Sequence, residues 1–597
     1  MRAAGSAGVR ENAAAVATQR DPDGPPRAAA TGVAQMGLVR TALTGGRSAL
    51  PFLALIMLGA GLRAWQYFGA APLWLDELAI AKNIHDFGPW ALLSQPLELD
   101  QSAPVGFLLL TKASVAVFGD TDLSLRLPPF LAGLILLPSF AALSARVLGA
   151  RMALIAILLV TISPTLVRYG AEAKPYGLDV CVATLLLLLA VERGSPRSTW
   201  EALSWGLAGA VACFVSLPAV LVLGGLGGWL CVQAVSGRSG ASRASVLIVL
   251  GIWGCVAAAT VASASARIPP DLMSRTKGYW GSQLEGYPAS FATLAGWTWL
   301  PRALAELQSY IGFSPKALGK VVYGFLTLSG CWVLLRRDYR VLGSLLGPLV
   351  CAVIAAVLGR YPLAERLGLF LLPALIILPV AGMESPSLLL GRPWASHLIA
   401  GSLLVPALAY AAPHLPVYRR DDVKSMFRLV TESREPGERV LVSPAGWLAL
   451  ERYGAILAPQ RGPIQLLACE RDPAAGVRRV LSRMPSGRGL WLVLYFFNEE
   501  LTPEILPAAD SLATRLREWR YEPSPVMGDH INPSLVLHYA RRDRPAFKGS
   551  SALAAPKPGS GPSHRCTISM LTPPWEVVRS WAGQRVASTV PFSQRAN

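Results

Sequence analysis

Long apolar runs dominate the chain and constrain its fold more than any other feature. Eleven of them approach the roughly 17–25 residues that a helix needs to cross a bilayer. They lie at about 48–70, 128–147, 152–168, 175–192, 200–216, 217–235, 244–264, 318–335, 341–358, 366–383 and 394–412. Only 15% of the 597 residues are charged, whereas about 25% is usual in soluble proteins. The sequence therefore predicts an all-α polytopic membrane protein with about eleven transmembrane helices.

Basic residues set the expected orientation of these helices. The apolar segment 104–119 is short for a span and carries Lys112, so we expect it to form a helix lying in the interface. The other spans then place five basic clusters on the side of the N-terminal tail: Arg146/Arg151, Arg193/Arg197, Arg238/Arg243, Arg336/Arg337/Arg340 and Arg392. This positive-inside pattern predicts a cytoplasmic N-terminus. It also accounts for much of the net charge of +18, so no nucleic-acid partner is expected.

The same alternation of sides divides the chain into regions. Loops 71–127, 168–176, 265–317 and 359–365 are expected on the outer face. We predict a disordered cytoplasmic tail at 1–47, a transmembrane domain at 48–412, a soluble domain at 413–545 and a disordered tail at 546–597. Segments 439–443, 463–467, 489–497 and 534–539 read as strands with helical stretches between them, which predicts a small α/β domain outside the membrane. The eight cysteines contain no CxxC pair, so neither a disulfide framework nor a metal site is expected.

Asp76 and Glu77 form the first acidic pair, directly after the first apolar run. The residues that follow place Ile80, Ile84 and Phe87 on one face of a second interfacial helix. The pair can serve as a helix cap that interacts favourably with the helix dipole. Alternatively, a carboxylate beside a low-dielectric wall can act as a general base for a hydroxyl proton. The spacing alone leaves both interpretations open.

Further polar groups gather at the outer ends of other spans. A second acidic cluster lies in VRYGAEAKPYGLDV (167–180), and a third polar group caps the tenth span in GRYPLAERLGLFLLP (359–373). The candidates there are Glu172, Lys174, Tyr176, Asp179, Arg360, Tyr361, Glu365 and Arg366, to which SLRLPP adds Arg126. The charged groups can be snorkelling interface anchors. The cations can equally hold a lipid phosphate.

Taken together, these candidates place two carboxylate clusters and several cations on one face of one membrane. That arrangement suits the displacement of a phosphate leaving group by a hydroxyl. A base accepts the hydroxyl proton, and the cations stabilise the charge that develops on the departing phosphate.

Four motifs in this order resemble the GT-C membrane glycosyltransferases. They are LDE, then DQSAPVGFLLLTK with FGDTDLSLRLPPFLAG, then SPTLVRYGAEAKPYGLDV, and finally RYPLAERLGLFLLP. More narrowly, the sequence resembles the bacterial branch akin to protein O-mannosyltransferases and to the lipid A aminoarabinose and galacturonic acid transferases. The likeness covers roughly residues 50–385 and is strongest over 72–192.

The resemblance implies an enzyme of the bacterial inner membrane that works on the periplasmic face. Such enzymes transfer a sugar from a polyprenyl-phosphate donor to a hydroxyl of a glycan, lipid or protein acceptor, usually with inversion. The resemblance implies no cofactor and no clear need for a metal. A membrane-lipid environment and a soluble periplasmic α/β tail are also typical of these proteins.

The resemblance also assigns roles to individual residues. Asp76 is expected to be the base with Glu77 beside it, and Glu172 to be a second acidic group that shapes the site. The expected phosphate contacts are Lys174, Arg126 and Arg366, and the expected pocket residues are Tyr176, Asp179, Arg360 and Tyr361. Many relatives have His-Pro-Pro where this chain has Ser102-Ala103-Pro104. No catalytic role is therefore assigned to that stretch.

Two other classes of protein fit parts of the pattern. A transporter or lipid-linked sugar flippase predicts charges near the middle of several spans, together with broken helices. Here the spans are mostly free of charge, and the main exception, Arg63, is late enough in the first span to snorkel to the interface. A sensor or scaffold would use 413–545 as a binding module. The position of the charges at the outer ends favours the enzyme.

Overall fold

The computed structural model describes residues 46–69, 72–99, 101–237, 242–268, 277–278, 280–281, 285–310, 317–415, 423–435, 438–442, 444–453, 464–466, 490–494, 521–528 and 535–541. Apart from Gly46 and Arg47, both predicted tails lie outside these residues. The first helices are α1 (Gly46–Phe68), α2 (Leu75–Asp86), α3 (Pro89–Ser94), α4 (Val105–Phe118), α5 (Asp122–Leu148), α6 (Ala150–Ile162), α7 (Pro164–Tyr169) and α8 (Tyr176–Arg193). They are followed by α9 (Thr199–Val215), α10 (Ala219–Val235), α11 (Arg243–Arg267), α12 (Leu294–Ser309) and α13 (Ala317–Val357). A 3-10 helix (Glu365–Leu371) then leads into α14 (Leu372–Gly382), α15 (Ser385–Leu390) and α16 (Pro393–His414).

Each of the eleven apolar runs contains helix. Among the described residues, five segments are long and apolar enough to cross a bilayer: Ala49–Phe68, Asp122–Leu148, Arg243–Arg267, Gly319–Val357 and Glu365–Leu389. Several other apolar helices, such as Ala150–Ile162, are shorter than a full span. The chain is thus a mostly helical multi-pass membrane protein. The number of eleven spans and their orientation remain predictions.

Two short breaks in the helices lie between α6 and α8. Ser163 ends α6, and its side chain accepts a hydrogen bond from the backbone N–H of Leu166, so it caps α7. Pro164 follows at the first position of α7, where its missing N–H has no cost. The chain then turns through Gly170–Pro175 into α8. This turn carries two of the charged residues that the sequence singles out, Glu172 and Lys174.

The centre of the bundle is α14, all of whose residues are buried. It packs against α13, which consists of two helices that meet at Asp338, where the backbone leaves the helical conformation. Gly330 of α13 and Gly382 of α14 face each other's main chain. A methyl group on Gly330 would overlap the carbonyl of Leu378. These glycines therefore allow the two helices to approach closely.

Arg63 is buried within this bundle and does not snorkel, so that expectation is wrong. Its side chain has no exposed surface. The guanidinium donates to the carbonyl oxygens of Gly59 (3.1 Å) and Val160 (3.2 Å). Gly133 leaves space beside its stem, since a Cβ there would lie 3.2 Å from Cδ of Arg63. These two backbone oxygens take the place of part of the water around the charge, while Nε has no hydrogen-bond partner among the described residues.

Beyond α16 the described chain contains α17 (Val423–Ser433), α18 (Pro444–Tyr453) and five strands. These are β1 (Arg439–Val442), β2 (Ile464–Leu466), β3 (Leu490–Leu494), β4 (Tyr521–Gly528) and β5 (Leu535–Arg541). They form one sheet in the order β2-β1-β3-β5-β4, in which β1 pairs parallel with β2 and β3, and β5 pairs antiparallel with β3 and β4. The sequence did not predict β4, which contains Pro523 and Pro525. It lies at the edge of the sheet, where proline is tolerated. That 413–545 forms a separate periplasmic domain remains a prediction.

The close contact between α13 and α14 generates a stability prediction. Gly330→Ala places a methyl group against the main chain of α14, and we expect it to destabilise the fold by about 1–3 kcal/mol. The matched control is Gly324→Ala in the same helix, where a Cβ meets no atom within 4 Å. Thermal unfolding in detergent should give a lower midpoint for Gly330→Ala alone. Equal midpoints for the two variants would show that the helices can separate without cost.

Candidate active site

The site forms around the first turn of α2, where Asp76 and Glu77 point in different directions. Consecutive residues of a helix project about 100° apart. The Glu77 side chain is buried, with 1% of its surface exposed, while the Asp76 side chain is 25% exposed. One carboxylate is therefore enclosed by protein, and its neighbour remains accessible.

Glu77 accepts four hydrogen bonds that fully occupy its carboxylate. Arg126 donates from Nε to Oε1 at 2.8 Å and from Nη2 to Oε2 at 2.7 Å. The backbone N–H of Ala173 donates to Oε1 at 2.7 Å, and that of Trp74 donates to Oε2 at 3.3 Å. An ionised carboxylate offers about four acceptor positions. Glu77 thus joins α2, α5 and the turn before α8, and has no capacity left to act as a base.

Asp76 lies between two cations. Its Oδ2 is 3.4 Å from Nη2 of Arg366 and 3.8 Å from Nζ of Lys174. Charge-assisted contacts of this kind are usually about 2.7–2.9 Å long. These two pairs are longer, so both cations remain able to bind a second anion. Residues far apart in the sequence therefore form one compact charged cluster.

Aromatic rings surround the guanidinium of Arg366. Its Cζ lies 5.7 Å from the ring centres of Trp74 and Tyr176 and 5.6 Å from that of Trp280. These distances are within the range in which a cation is attracted to the face of an aromatic ring. The preceding residue, Glu365, has a φ of 41°, a backbone conformation that is costly for a residue with a side chain. Three aromatic rings and the strained backbone at Glu365 thus hold the Arg366 guanidinium beside Asp76.

Lys174 is held by a residue that the sequence analysis did not single out. Its side chain is buried, and Nζ donates to Oε1 of Gln101 at 2.6 Å. Burial lowers the pKa of Lys174, an effect that Asp76 opposes and Arg366 strengthens. Gln101 lies in the motif DQSAPVGFLLLTK, directly before Ser102-Ala103-Pro104. Its position in that motif was the sequence signal that could have identified Gln101 as a site residue.

Glu172 lies in the same turn and is buried with one oxygen in use. Arg168 donates from Nε to its Oε1 at 2.5 Å. The other oxygen, Oε2, is buried and accepts no hydrogen bond from the described residues. The turn is closed by the backbone N–H of Lys174, which donates to the carbonyl of Glu172 at 2.7 Å. The structure thus supplies a second acidic group next to Lys174.

Three other predicted site residues lie in or next to the segments that carry Lys174 and Arg366. Tyr176 lies beneath Arg366 and packs edge-on against Tyr169. Asp179 is one helical turn further on and accepts a hydrogen bond from the Ser216 hydroxyl at 2.6 Å. The Tyr361 hydroxyl donates to the backbone oxygen of Leu367 at 2.9 Å, so it braces the 3-10 helix that carries Arg366.

Arg360 lies outside this cluster. Its side chain is exposed and, within the described ranges, forms no hydrogen bond or ion pair with the residues around Asp76. Arg126 is buried and donates to Glu77 from Nε and Nη2, so it stabilises the site. A search of the described residues finds no group of three His, Cys, Asp or Glu side chains that could hold a metal ion.

Comparison with known proteins finds one matching family and several similar structures. Residues 102–261 match the sequence model of the dolichyl-phosphate-mannose-protein mannosyltransferases. ArnT from Cupriavidus metallidurans bound to undecaprenyl phosphate is 13% identical, with a TM-score of 0.47 and coverage of 82% of this chain and 97% of that chain. The same protein in the apo state gives 12% identity and a TM-score of 0.46 with the same coverage. The Archaeoglobus fulgidus oligosaccharyltransferase in complex with Zn and sulfate is 12% identical, with a TM-score of 0.45 and coverage of 82% of this chain and 73% of that chain. No curated protein sequence matches the chain.

The family match confirms, over residues 102–261, the resemblance to membrane glycosyltransferases. The candidate residues inside this range are Arg126, Glu172, Lys174, Tyr176 and Asp179. Those outside it are Asp76, Glu77, Arg360, Tyr361 and Arg366. The match therefore covers the turn that carries Lys174, and leaves the assignment of Asp76 to the geometry.

The different environments of the adjacent carboxylates generate a second prediction. Glu77→Gln leaves the Arg126 guanidinium buried without its counter-ion, and breaking a buried pair in this way costs about 3–5 kcal/mol. We expect a lower midpoint of thermal unfolding in detergent. Asp76→Asn changes the same functional group one residue earlier, at a partly exposed position, and should leave the midpoint close to that of the wild type. A Glu77→Gln midpoint no lower than that of Asp76→Asn would contradict this assignment.

Proposed function

We propose that this chain is an integral membrane glycosyltransferase of the bacterial inner membrane. It transfers a sugar from a polyprenyl-phosphate donor to an acceptor hydroxyl on the periplasmic face, with inversion at the anomeric carbon. Asp76 is the general base, and Lys174 and Arg366 bind the phosphate of the donor. The family match over 102–261 supports the reaction class. The observation that carries the assignment is the accessible Asp76 carboxylate between two anchored cations.

The reaction follows from the chemistry of these groups. Asp76 accepts the proton of the acceptor hydroxyl, and the oxygen attacks the anomeric carbon from the face opposite the phosphate. A new carbon–oxygen bond forms as the bond between the anomeric carbon and the phosphate oxygen breaks. The electron pair of the broken bond leaves with the polyprenyl phosphate. Lys174 and Arg366 stabilise this developing charge because both are fixed before the reaction begins.

An apolar groove supports the proposed class of donor. It has a volume of about 430 Å³ and lies between α4, α5 and α8. Its lining includes Leu110, Val117, Leu127, Leu131, Leu178 and Leu185. One end of the groove is close in sequence to the site, because Leu127 follows Arg126 and Leu178 is two residues after Tyr176. A polyprenyl chain is the kind of group that such an apolar lining accommodates.

The role of Asp76 is tested by replacing it. Asp76→Asn removes the base and leaves the shape of the side chain, so we expect turnover to fall by about 10²–10⁴-fold. Asp86→Asn is the matched control, because Asp86 ends the same helix and pairs with Lys82 at the surface. Purified proteins would receive radiolabelled polyprenyl-phosphate sugars and a membrane extract, and the release of free carrier phosphate would be measured.

Two results of that assay would contradict the proposal. Wild-type carrier release by Asp76→Asn would exclude it as the base. A wild-type protein that consumes no labelled sugar would favour a flippase, which moves the lipid-linked sugar without breaking its bond. The anomeric configuration of the product, measured by NMR, tests inversion separately.

The role of Arg366 is tested by a change that keeps its charge. Arg366→Lys removes the planar group that stacks on three rings and offers forked donors. We expect turnover to fall by about tenfold or more, because a positioned donor to the leaving group is lost. Arg360→Lys is the comparison, since Arg360 is six residues away and outside the cluster. Equal losses in both variants would show that general charge, and not the caged guanidinium, is what matters.

A further inference from the structure

We propose that Tyr453, at the end of α18, is a positioning residue for the first turn of α2 and thereby for Asp76. The inference rests on the proposed function, because it assigns a role in that reaction to the segment that follows the transmembrane helices. Tyr453 lies more than 370 residues after Asp76 in the sequence. Its hydroxyl nevertheless contacts the backbone three residues before that carboxylate.

The Tyr453 hydroxyl forms two hydrogen bonds at a buried position. It donates to Oδ2 of Asp122 at 2.9 Å and accepts from the backbone N–H of Leu73 at 2.8 Å. Tyr453 is 7% exposed, and Leu73 has no exposed surface. Burial, and then the charge of Asp122, raise the pKa of Tyr453. The hydroxyl therefore keeps its proton and serves as donor and acceptor together.

These two bonds join the starts of the helices that build the site. Leu73 precedes Trp74, whose ring faces Arg366 and whose N–H is bound by Glu77. Asp122 is the first residue of α5, which carries Arg126. The starts of α2 and α5 are thus connected twice. The first connection is the buried Glu77–Arg126 pair, and the second runs through the Tyr453 hydroxyl. Loss of the connection through Tyr453 frees the backbone at Leu73, which orients Trp74 and Asp76.

Charged groups on α17 and α18 reinforce the contact. Lys424 binds Oδ2 of Asp122 at 2.9 Å, and its Nζ also lies 4.5 Å from the centre of the Tyr453 ring. Arg452 approaches Oδ1 of Asp122 at 3.3 Å and pairs with Asp120. Asp122 therefore meets three groups from the soluble segment. A single surface ion pair contributes little to stability, but this network surrounds a hydroxyl that is largely shielded from water.

The test compares Tyr453→Phe with Tyr323→Phe in the purified full-length protein. Tyr323 is the matched control because its buried hydroxyl donates to the backbone oxygen of Leu375 at 2.9 Å, far from Asp76 in the sequence. For Tyr453→Phe we expect kcat to fall by about 10–100-fold, since a small misplacement of a catalytic group has effects of this size. The KM for the polyprenyl-phosphate sugar should stay unchanged. Hydrogen–deuterium exchange at the Leu73 amide should become faster in Tyr453→Phe alone.

Several outcomes would overturn the inference. An unchanged kcat in Tyr453→Phe would do so, as would an equal loss of kcat in Tyr323→Phe. If Tyr453→Phe does not fold, Arg452→Gln decides, with Arg428→Gln on the exposed side of α17 as its control. We expect Arg452→Gln to lower kcat by about 3–10-fold, the equivalent of one lost hydrogen bond, and an unchanged kcat would overturn the inference. The hydrogen–deuterium exchange at Leu73 tests the Tyr453 contact without depending on the reaction. Wild-type transfer by Asp76→Asn would instead overturn the proposed function, so the two failures can be distinguished.

Discussion

The buried pair between Glu77 and Arg126 is the interaction on which the site depends. Two charges withdrawn from water are stable only when their remaining hydrogen-bonding capacity is also met. Here the backbone N–H groups of Trp74 and Ala173 complete the shell around the carboxylate. The need to satisfy one buried charge therefore fixes three separate segments of the chain relative to one another. Those segments are the start of α2 with Trp74 and Asp76, α5 with Arg126, and the turn that contains Lys174.

Under the proposed function, the adjacent carboxylates divide two tasks between them. A base must be accessible to its substrate, whereas a structural anchor must be enclosed. The pitch of α2 supplies both, since it turns Glu77 into the protein and leaves Asp76 partly exposed. The loose contacts of Asp76 with Lys174 and Arg366 follow from this division, because Gln101 and the aromatic rings hold those cations independently. Asp76 does not have to serve as their anchor.

Much of the fold could be predicted from the sequence, because a chain segment that is apolar and long enough to cross a membrane has few alternatives to forming a helix. The grouping of Asp76, Glu172, Lys174 and Arg366 on one side also followed from the alternation of spans. The side-chain pairings could not be predicted from the sequence. No local pattern links Glu77 to Arg126, which is 49 residues away. The residue pattern alone did not distinguish Arg360 from Arg366, because the 3-10 helix Glu365–Leu371 that carries Arg366 is too short to show a period. Likewise, the enclosure of Arg63 depends on Gly133, which lies in another helix.

The charges of the site are consistent with a leaving group that becomes more negative as it departs. Three cations, Arg168, Lys174 and Arg366, lie with two carboxylates, Asp76 and Glu172, around the turn before α8. The Glu77–Arg126 pair is neutral, and Glu365 also acts on the charge of Arg366. The fixed charges of the cluster therefore balance when all of these groups are ionised. A phosphodiester donor carries one negative charge, and the phosphate monoester released from it carries about 1.5–2 near neutral pH. In the proposed reaction Asp76 takes up a proton and loses its negative charge. The positive excess that then remains binds the departing phosphate more strongly than the intact donor, which is the difference that accelerates a reaction.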